Sequence, residues 1–193
     1  MIDSKTPFYV IQNFITSKEC QEIAKAVRVE PTKNDEGFPE AIVRSHQPAE
    51  AIIFEKIKTI IPELEEHFDF KYRGTEPITF QQFPSTNGKN AEEPQCYNAV
   101  YKRKKWVRIN DRALTAVLWL KDYEDQPPFN MDHQVYGGKL EFPVYNFGFQ
   151  PQAGTLVVYP ACERFISLTT SIQVGELQLA RIQMHSDGVW IYD

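Results

Sequence analysis

Apolar and aromatic residues first gather at Phe8-Tyr9-Val10-Ile11-Gln12-Asn13-Phe14-Ile15, a β-branched and aromatic run that predicts a strand. Thr16-Ser17-Lys18-Glu19 follows as a capping box, in which a hydroxyl and a glutamate three residues on satisfy two orphan backbone donors. Cys20, Ile23, Ala24 and Val27 then recur at i, i+3, i+4 and i+7, the apolar stripe of one helix face. Pro31, Asn34, Asp35, Gly37 and Pro39 predict a loop over 30–40. Ile53, Ile57, Ile60, Ile61 and Leu64 mark a second helix, which Pro62 either ends or restarts as a first-turn proline.

After His67 the periodicity shortens. Strand-like pieces occupy 77–83, 95–101, 113–121, 138–142, 154–159, 164–170, 172–184 and 189–192, with turn residues between them such as Asn87-Gly88, Pro127-Pro128, Gly137-Gly138 and Asp187-Gly188. Two helices followed by many short strands predict an α+β, mainly β chain: a sandwich or barrel with helices on one face. The expected organisation is one domain over 1–193, helical over about 16–68 and β over about 76–192.

Composition narrows the function classes. The chain has 193 residues, 42% hydrophobic and 24% charged, as ordinary globular proteins have. Its net charge of -5 excludes binding to nucleic acid by bulk positive charge. No run approaches the length of a membrane-spanning helix, and Met1-Ile2-Asp3-Ser4-Lys5 lacks the pattern of a secretion signal. Cys20, Cys96 and Cys162 are widely spaced and odd in number, which suits reduced thiols in a cytoplasmic setting.

Candidate chemistry is sparse. His185-Ser186-Asp187 has the H-x-D spacing of non-haem iron sites, but beside Gly188 it reads as a polar turn. Asp132-His133 falls in an aperiodic stretch, Gln126 to Tyr136, that reads as an exposed loop. Cys96 has no neighbouring histidine to activate it and reads as a buried or half-buried strand cysteine. Lys102-Arg103-Lys104-Lys105-Trp106 reads as a solvated hairpin tip.

Several segments together resemble the prolyl 4-hydroxylase-like branch of the iron(II)/2-oxoglutarate-dependent dioxygenases. Val10-Ile11-Gln12-Asn13-Phe14-Ile15-Thr16-Ser17-Lys18-Glu19-Cys20 is similar to that family's opening strand and entry to its first helix. Arg112-Ala113-Leu114-Thr115-Ala116-Val117-Leu118-Trp119-Leu120 is similar to its R-x-L-T-x-x-x-Y-L strand, and Gly137-Gly138-Lys139-Leu140-Glu141-Phe142-Pro143 to its G-G-x-L-x-F-P strand. The stretch Gln150 to Pro160 is similar to its P-x-x-G-x-L-V-x-F-P motif.

The resemblance implies a double-stranded β-helix, or jelly roll. It also implies an iron site of two histidines and an aspartate, with a basic residue for 2-oxoglutarate. Carried over by motif, the H-x-D positions are Cys96 and Asn98, the second histidine is Ser167, and the basic residue is Leu177. Ferrous iron in this geometry needs two imidazoles and a carboxylate. A neutral asparagine, a hydroxyl and a lone thiol do not replace them, and Leu177 cannot pair with a carboxylate. Arg181, four residues on, lies roughly 13 Å away at strand rise.

The expectation is therefore a non-catalytic domain with no cofactor, acting as a structural or protein-binding module. It binds neither nucleic acid nor membrane and works in the cytoplasm or in a virus particle, as a bacteriophage virion or tail-assembly component, a setting the resemblance alone implies. Tyr123, Phe129, Tyr136 and Trp106 are the candidate contact residues, since aromatic-rich loops suit interfaces. Two alternatives stand beside it. One is an active hydroxylase using iron(II) and 2-oxoglutarate at an unorthodox site built on His185 and Asp187, with His133 or His46. The other is a barrel that binds a carbohydrate or nucleotide derivative without chemistry.

Overall fold

The computed structural model describes residues 6–30, 41–86, 88–126 and 130–187. The predicted strand over 189–192 and the expected contact residue Phe129 lie outside the described residues, as does nearly all of the predicted loop over 30–40. The chain opens with β1 (Tyr9–Ile11), α1 (Ser17–Val27), β2 (Ile42–Arg44) and α2 (Gln47–Phe68). Strands then dominate: β3 (Tyr72–Thr75), β4 (Thr79–Phe83), β5 (Ala99–Lys102), β6 (Lys105–Arg108), β7 (Arg112–Trp119) and β8 (Asp122–Tyr123). They continue as β9 (Gln134–Gly137), β10 (Leu140–Phe142), β11 (Phe147–Phe149), β12 (Leu156–Pro160), β13 (Leu168–Thr169), β14 (Ile172–Gly175) and β15 (Leu177–Ser186).

The helices form as their patterns predict. The Thr16 hydroxyl accepts from the Glu19 amide at 3.2 Å and the Glu19 carboxylate accepts from the Thr16 amide at 2.7 Å, completing the capping box. Cys20, Ile23, Ala24 and Val27 are buried. In α2 the buried stripe is Ala49, Ile53, Ile57, Ile60, Leu64 and Phe68. Pro62 neither ends nor restarts this helix. It lies inside a continuous element, because Leu64 and Phe68 beyond it remain packed in the core and offset the lost backbone bond. The helix starts at a cap that its sequence does not advertise: His46, whose Nδ1 accepts from the Ala49 amide at 3.3 Å.

The principal sheet has the antiparallel order β1-β12-β7-β15-β4-β2, with β3 pairing further along β15. Alternation divides its central strands between two cores. Leu114, Ala116, Leu118, Leu156, Val158, Ala180, Ile182 and Met184 pack with both helices. Val117, Trp119, Val157, Tyr159, Leu177 and Leu179 face a second layer contributed by Val135, Leu140, Phe142 and Ile172. Burial on both faces explains why β7 and β12 read as nearly unbroken apolar runs. Each fully buried leucine or isoleucine contributes about 1.5–3 kcal/mol.

The expected jelly roll is not what the strands form. The second layer consists of separate three-stranded sheets, β11-β10-β13 and β14-β9-β8, and β5 pairs with β6 alone. Among the described residues, no ladder joins these sheets to the principal one, so the arrangement is an open mixed α+β packing rather than a closed or curled barrel. Glycine turns explain the division. Gly175, at φ 81°, splits the predicted 172–184 strand into β14 and β15 in different sheets. Gly137 and Gly138, at φ 98° and 70°, separate β9 from β10. The stretch from Gln126 to Tyr136, expected as loop throughout, ends in β9, whose Val135 is buried in the second core.

Candidate functional site

The interior between the two layers is apolar at one end and polar at the other. Register fixes this gradient. On β7 the inward residues run from Thr115 through Val117 to Trp119, opposite Gln183, Arg181 and Leu179 of β15. Thr115 donates to the Gln183 side-chain oxygen at 2.8 Å. Arg181, only 4% exposed, sends Nη1 and Nη2 to the two carboxylate oxygens of Glu92 at 2.9 Å each. Its guanidinium carbon lies 4.8 Å from the centre of the Tyr97 ring. Glu92 also accepts from the Thr169 hydroxyl at 2.9 Å and, more weakly, from the Tyr97 hydroxyl at 3.5 Å. A bidentate, charge-assisted pair with a cation–π contact is what a buried guanidinium needs to offset its desolvation.

Three of the predicted positions meet at this polar end. Gln95 and Ser167 pair across an isolated bridge, with reciprocal backbone bonds of 2.8 and 3.1 Å. This brings the Ser167 hydroxyl, 1% exposed, to 3.1 Å from the Tyr159 hydroxyl. Burial pushes the Tyr159 phenol well above its ordinary range. The Cys96 thiol is half-buried, 3.6 Å from the Ala161 carbonyl and 3.7 Å from the Asn98 amide oxygen. Burial raises its pKa, so it is held as a thiol. Asn98, 2% exposed, donates to the Arg112 carbonyl at 3.3 Å. Leu177 sits apart from these, fully buried among Phe83, Trp119 and Leu179.

This donor set does not fit a ferrous ion of the two-histidine, one-carboxylate type. The available groups are a neutral thiol, an amide and two hydroxyls, and Arg181 occupies both oxygens of the nearby carboxylate. The imidazoles lie elsewhere. His46 caps α2, the His67 Nε2 lies 2.9 Å from the Thr6 carbonyl, and His133 precedes β9. Among the described residues, no group of three His, Cys, Asp or Glu side chains is placed to hold a metal ion.

His185 lies within β15, one residue before its end, and not in the polar turn its sequence suggests. Its ring nitrogens lie 2.5 Å from Asp111 and 3.0 Å from Glu76. Arg112 binds Glu76 through two nitrogens at 2.6 and 2.7 Å, and these bonds hold the Glu76 carboxyl below the usual carboxylate range. Arg73 meets Asp111 at 2.6 Å. The arrangement is a charge network rather than a ligand set. The Asp187 backbone N–H donates to the Lys71 carbonyl at 2.8 Å.

The expected contact residues divide. Tyr123 and Tyr136 come together, rings 5.9 Å apart, because β8 and β9 pair in parallel with Tyr123 opposite Val135. Trp106 belongs to the β5–β6 hairpin, where it lies 5.4 Å from Tyr101. Sequence reasoning missed Glu92. The available signal was Arg181 itself, flanked by Leu179, Ala180 and Ile182, because a charge among apolar strand residues demands a partner.

No protein-family model and no curated protein matches the sequence. Solved structures do match in fold. A viral collagen prolyl hydroxylase from Paramecium Bursaria Chlorella virus-1, in complex with 2-oxoglutarate, aligns at a TM-score of 0.67 and 14% identity over 97% of this chain and 100% of that one. A Pseudomonas putida prolyl-4-hydroxylase aligns at 0.61 and 14% identity, over 96% and 95%. A Trichoplax adhaerens prolyl hydroxylase, in complex with a hypoxia inducible factor peptide fragment, aligns at 0.60 and 11%, over 93% and 83%. The chain therefore shares the overall fold of these prolyl hydroxylases, with an interior whose described residues form no metal-binding cluster.

Proposed function

We propose that this chain is a non-catalytic member of that fold which binds another protein. In this reading Cys96, Asn98 and Ser167 stand where the enzymes place their metal ligands, and Leu177 stands where they bind 2-oxoglutarate. The observation that carries it is the Arg181–Glu92 pair, buried beside the first three residues with both carboxylate oxygens engaged. With both its oxygens committed to Arg181, Glu92 is not free to ligate a metal ion, and the apolar packing around Leu177 offers the co-substrate no counter-charge.

The protein-binding half rests on the β5–β6 hairpin. Every residue of β6 is exposed, and Tyr101, Trp106, Val107 and Ile109 leave large apolar side chains in solvent. Lys102, Arg103, Lys104, Lys105 and Arg108 share the hairpin with them. Exposed aromatic groups interleaved with basic residues suit an acidic protein surface. A virion or tail-assembly setting is the specific form of this proposal, supported by the family resemblance alone.

The test has two arms. Protein incubated with iron(II) and 2-oxoglutarate without oxygen is assayed for bound iron, then exposed to air and assayed for succinate. Substoichiometric iron and no succinate are expected, whereas stoichiometric iron with succinate release overturns the reading. Partners captured from the source are then compared between the wild type and Trp106→Ala, and an undiminished yield with the variant removes the hairpin from the proposal.

A further inference from the structure

The far end of the interior holds a cleft that none of the preceding chemistry uses. It has a volume of about 720 Å³ and lies beside β1 and β11, the edge strands of their sheets. Its lining includes Trp119 and Thr155, four positions along β7 and β12 from the Thr115–Tyr159 pair of the polar end. At strand rise that is roughly 13 Å from that pair, whose Tyr159 hydroxyl meets Ser167.

Two buried polar atoms of this lining have no partner among the described residues: the Trp119 indole Nε1 and the Thr155 Oγ1. The residues are 1% and 4% exposed and adjacent, with the Trp119 amide donating to the Thr155 carbonyl at 3.3 Å. Orphaned donors and acceptors of this kind are uncommon in folded interiors, because each forfeits its hydration. Two in one cleft lining call for a group that supplies an acceptor and a donor together.

The rest of the lining defines that group. Among the described residues it contains no lysine, arginine or histidine, and its charged members are Asp122 and Glu124. Both carboxylates already accept backbone N–H groups, from Ala153 at 2.8 Å and from Asp125 and Gln126 at 2.9 and 3.1 Å. An anionic ligand is disfavoured. Gln134 is oriented by the Asn130 amide, which donates to its side-chain oxygen at 2.7 Å. Gln12, Gln150 and Gln152 add further amides. Tyr123, braced by Tyr136, and Phe149 supply aromatic faces.

Planar amides and acidic oxygens for hydroxyls, aromatic rings for C–H faces and the absence of cations together match a neutral carbohydrate. We infer that the cleft floored by Trp119 and Thr155 binds a short uncharged oligosaccharide. Its volume falls within the usual range for small-molecule sites. This site is independent of the β5–β6 hairpin.

The indole N–H of Trp119 is the reporter. The full chain, labelled with nitrogen-15, is titrated with neutral oligomers of glucose, galactose, mannose, xylose and N-acetylglucosamine, and separately with inorganic phosphate and a mixture of unstructured peptides. Trp106→Phe and Trp190→Phe identify the other two indole signals. At least one neutral sugar is expected to move the Trp119 signal, with affinity falling roughly tenfold in Tyr123→Ala and persisting in Tyr123→Phe. Circular dichroism confirms that both variants fold. A Trp119 signal that no sugar moves, that only phosphate or peptides move, or that responds unchanged in Tyr123→Ala overturns the inference.

Discussion

Arg181 and Glu92 face each other inside the protein through two parallel 2.9 Å hydrogen bonds, although 89 positions separate them in the chain. The pair ties the centre of β15 to the segment between β4 and β5. Glu92 is anchored there a second time, its backbone amide donating to the Thr169 carbonyl at 3.2 Å. Removing one partner leaves the other charge buried alone. Glu92→Ala is expected to destabilise the fold by about 3–5 kcal/mol. The double variant Glu92→Leu, Arg181→Met should recover most of that loss, because well-packed apolar groups replace a buried pair at little cost. Urea unfolding at unchanged slope measures both, and a neutral Glu92→Ala would contradict the account.

Leu177 supplies a second test of the same interior. It is fully buried against Phe83, Trp119 and Leu179, and Gly138 approaches it closely enough that a Cβ there would meet the leucine side chain at 3.0 Å. Leu177→Ala should cost about 2–5 kcal/mol by opening a cavity. Leu177→Lys should cost more, since Phe83, Trp119 and Leu179 offer its ammonium no carboxylate and Glu92 is held by Arg181. Calorimetric titration of Leu177→Lys with 2-oxoglutarate is expected to show no heat of binding, because restoring one basic residue does not restore the space around it.

The two helical stripes, the capping box and the principal strands were legible in the sequence because each is a local rule: a period or a hydroxyl–glutamate pair. The open sheet arrangement was not, because it depends on where Gly137, Gly138 and Gly175 turn the chain between ladders. Strand patterns alone do not state which strands pair. Cys96, Asn98 and Ser167 were singled out by motif spacing, and the structure brings them to one end of the interior. Glu92 lies in a segment with no periodicity, so Arg181 signals a buried partner but only the three-dimensional pairing identifies it. His185 was misjudged as a turn because Asp187-Gly188 dominates the local signal, whereas pairing with Arg112 extends β15 through it.

Glu76 makes acid stability testable. Arg112 holds its carboxyl below the ordinary range in the folded chain. A carboxyl with a depressed folded pKa contributes stability that is present above its unfolded value, about 4.3, and is lost as pH falls through the folded value. Glu76→Gln is therefore expected to lower stability by about 1 kcal/mol at neutral pH, a modest figure for a partly exposed pair. The difference from wild type should close below the ordinary carboxylate range. Denaturation curves across that interval measure it, and a gap that widens on acidification would assign the depression to another source.

The β5–β6 hairpin turns through Arg103 and Lys104, both at positive φ, 50° and 66°. Two such residues in succession are the geometry of a type I′ turn, for which asparagine and glycine are the favoured pair. Long side chains there cost about 1 kcal/mol or more per residue. Arg103→Asn with Lys104→Gly is expected to hold the hairpin closed more firmly. Because β5 and β6 pair only with each other among the described residues, the effect should stay local. Amide exchange at Val100 and Val107, opposite one another in the ladder, should slow roughly tenfold while the global unfolding midpoint barely moves. Tyr101 and Trp106 ride on the strands rather than the turn, so a partner that reads their rings should bind this variant at least as well as the wild type. A weaker complex would mean that the partner reads the charges of Arg103 and Lys104 instead.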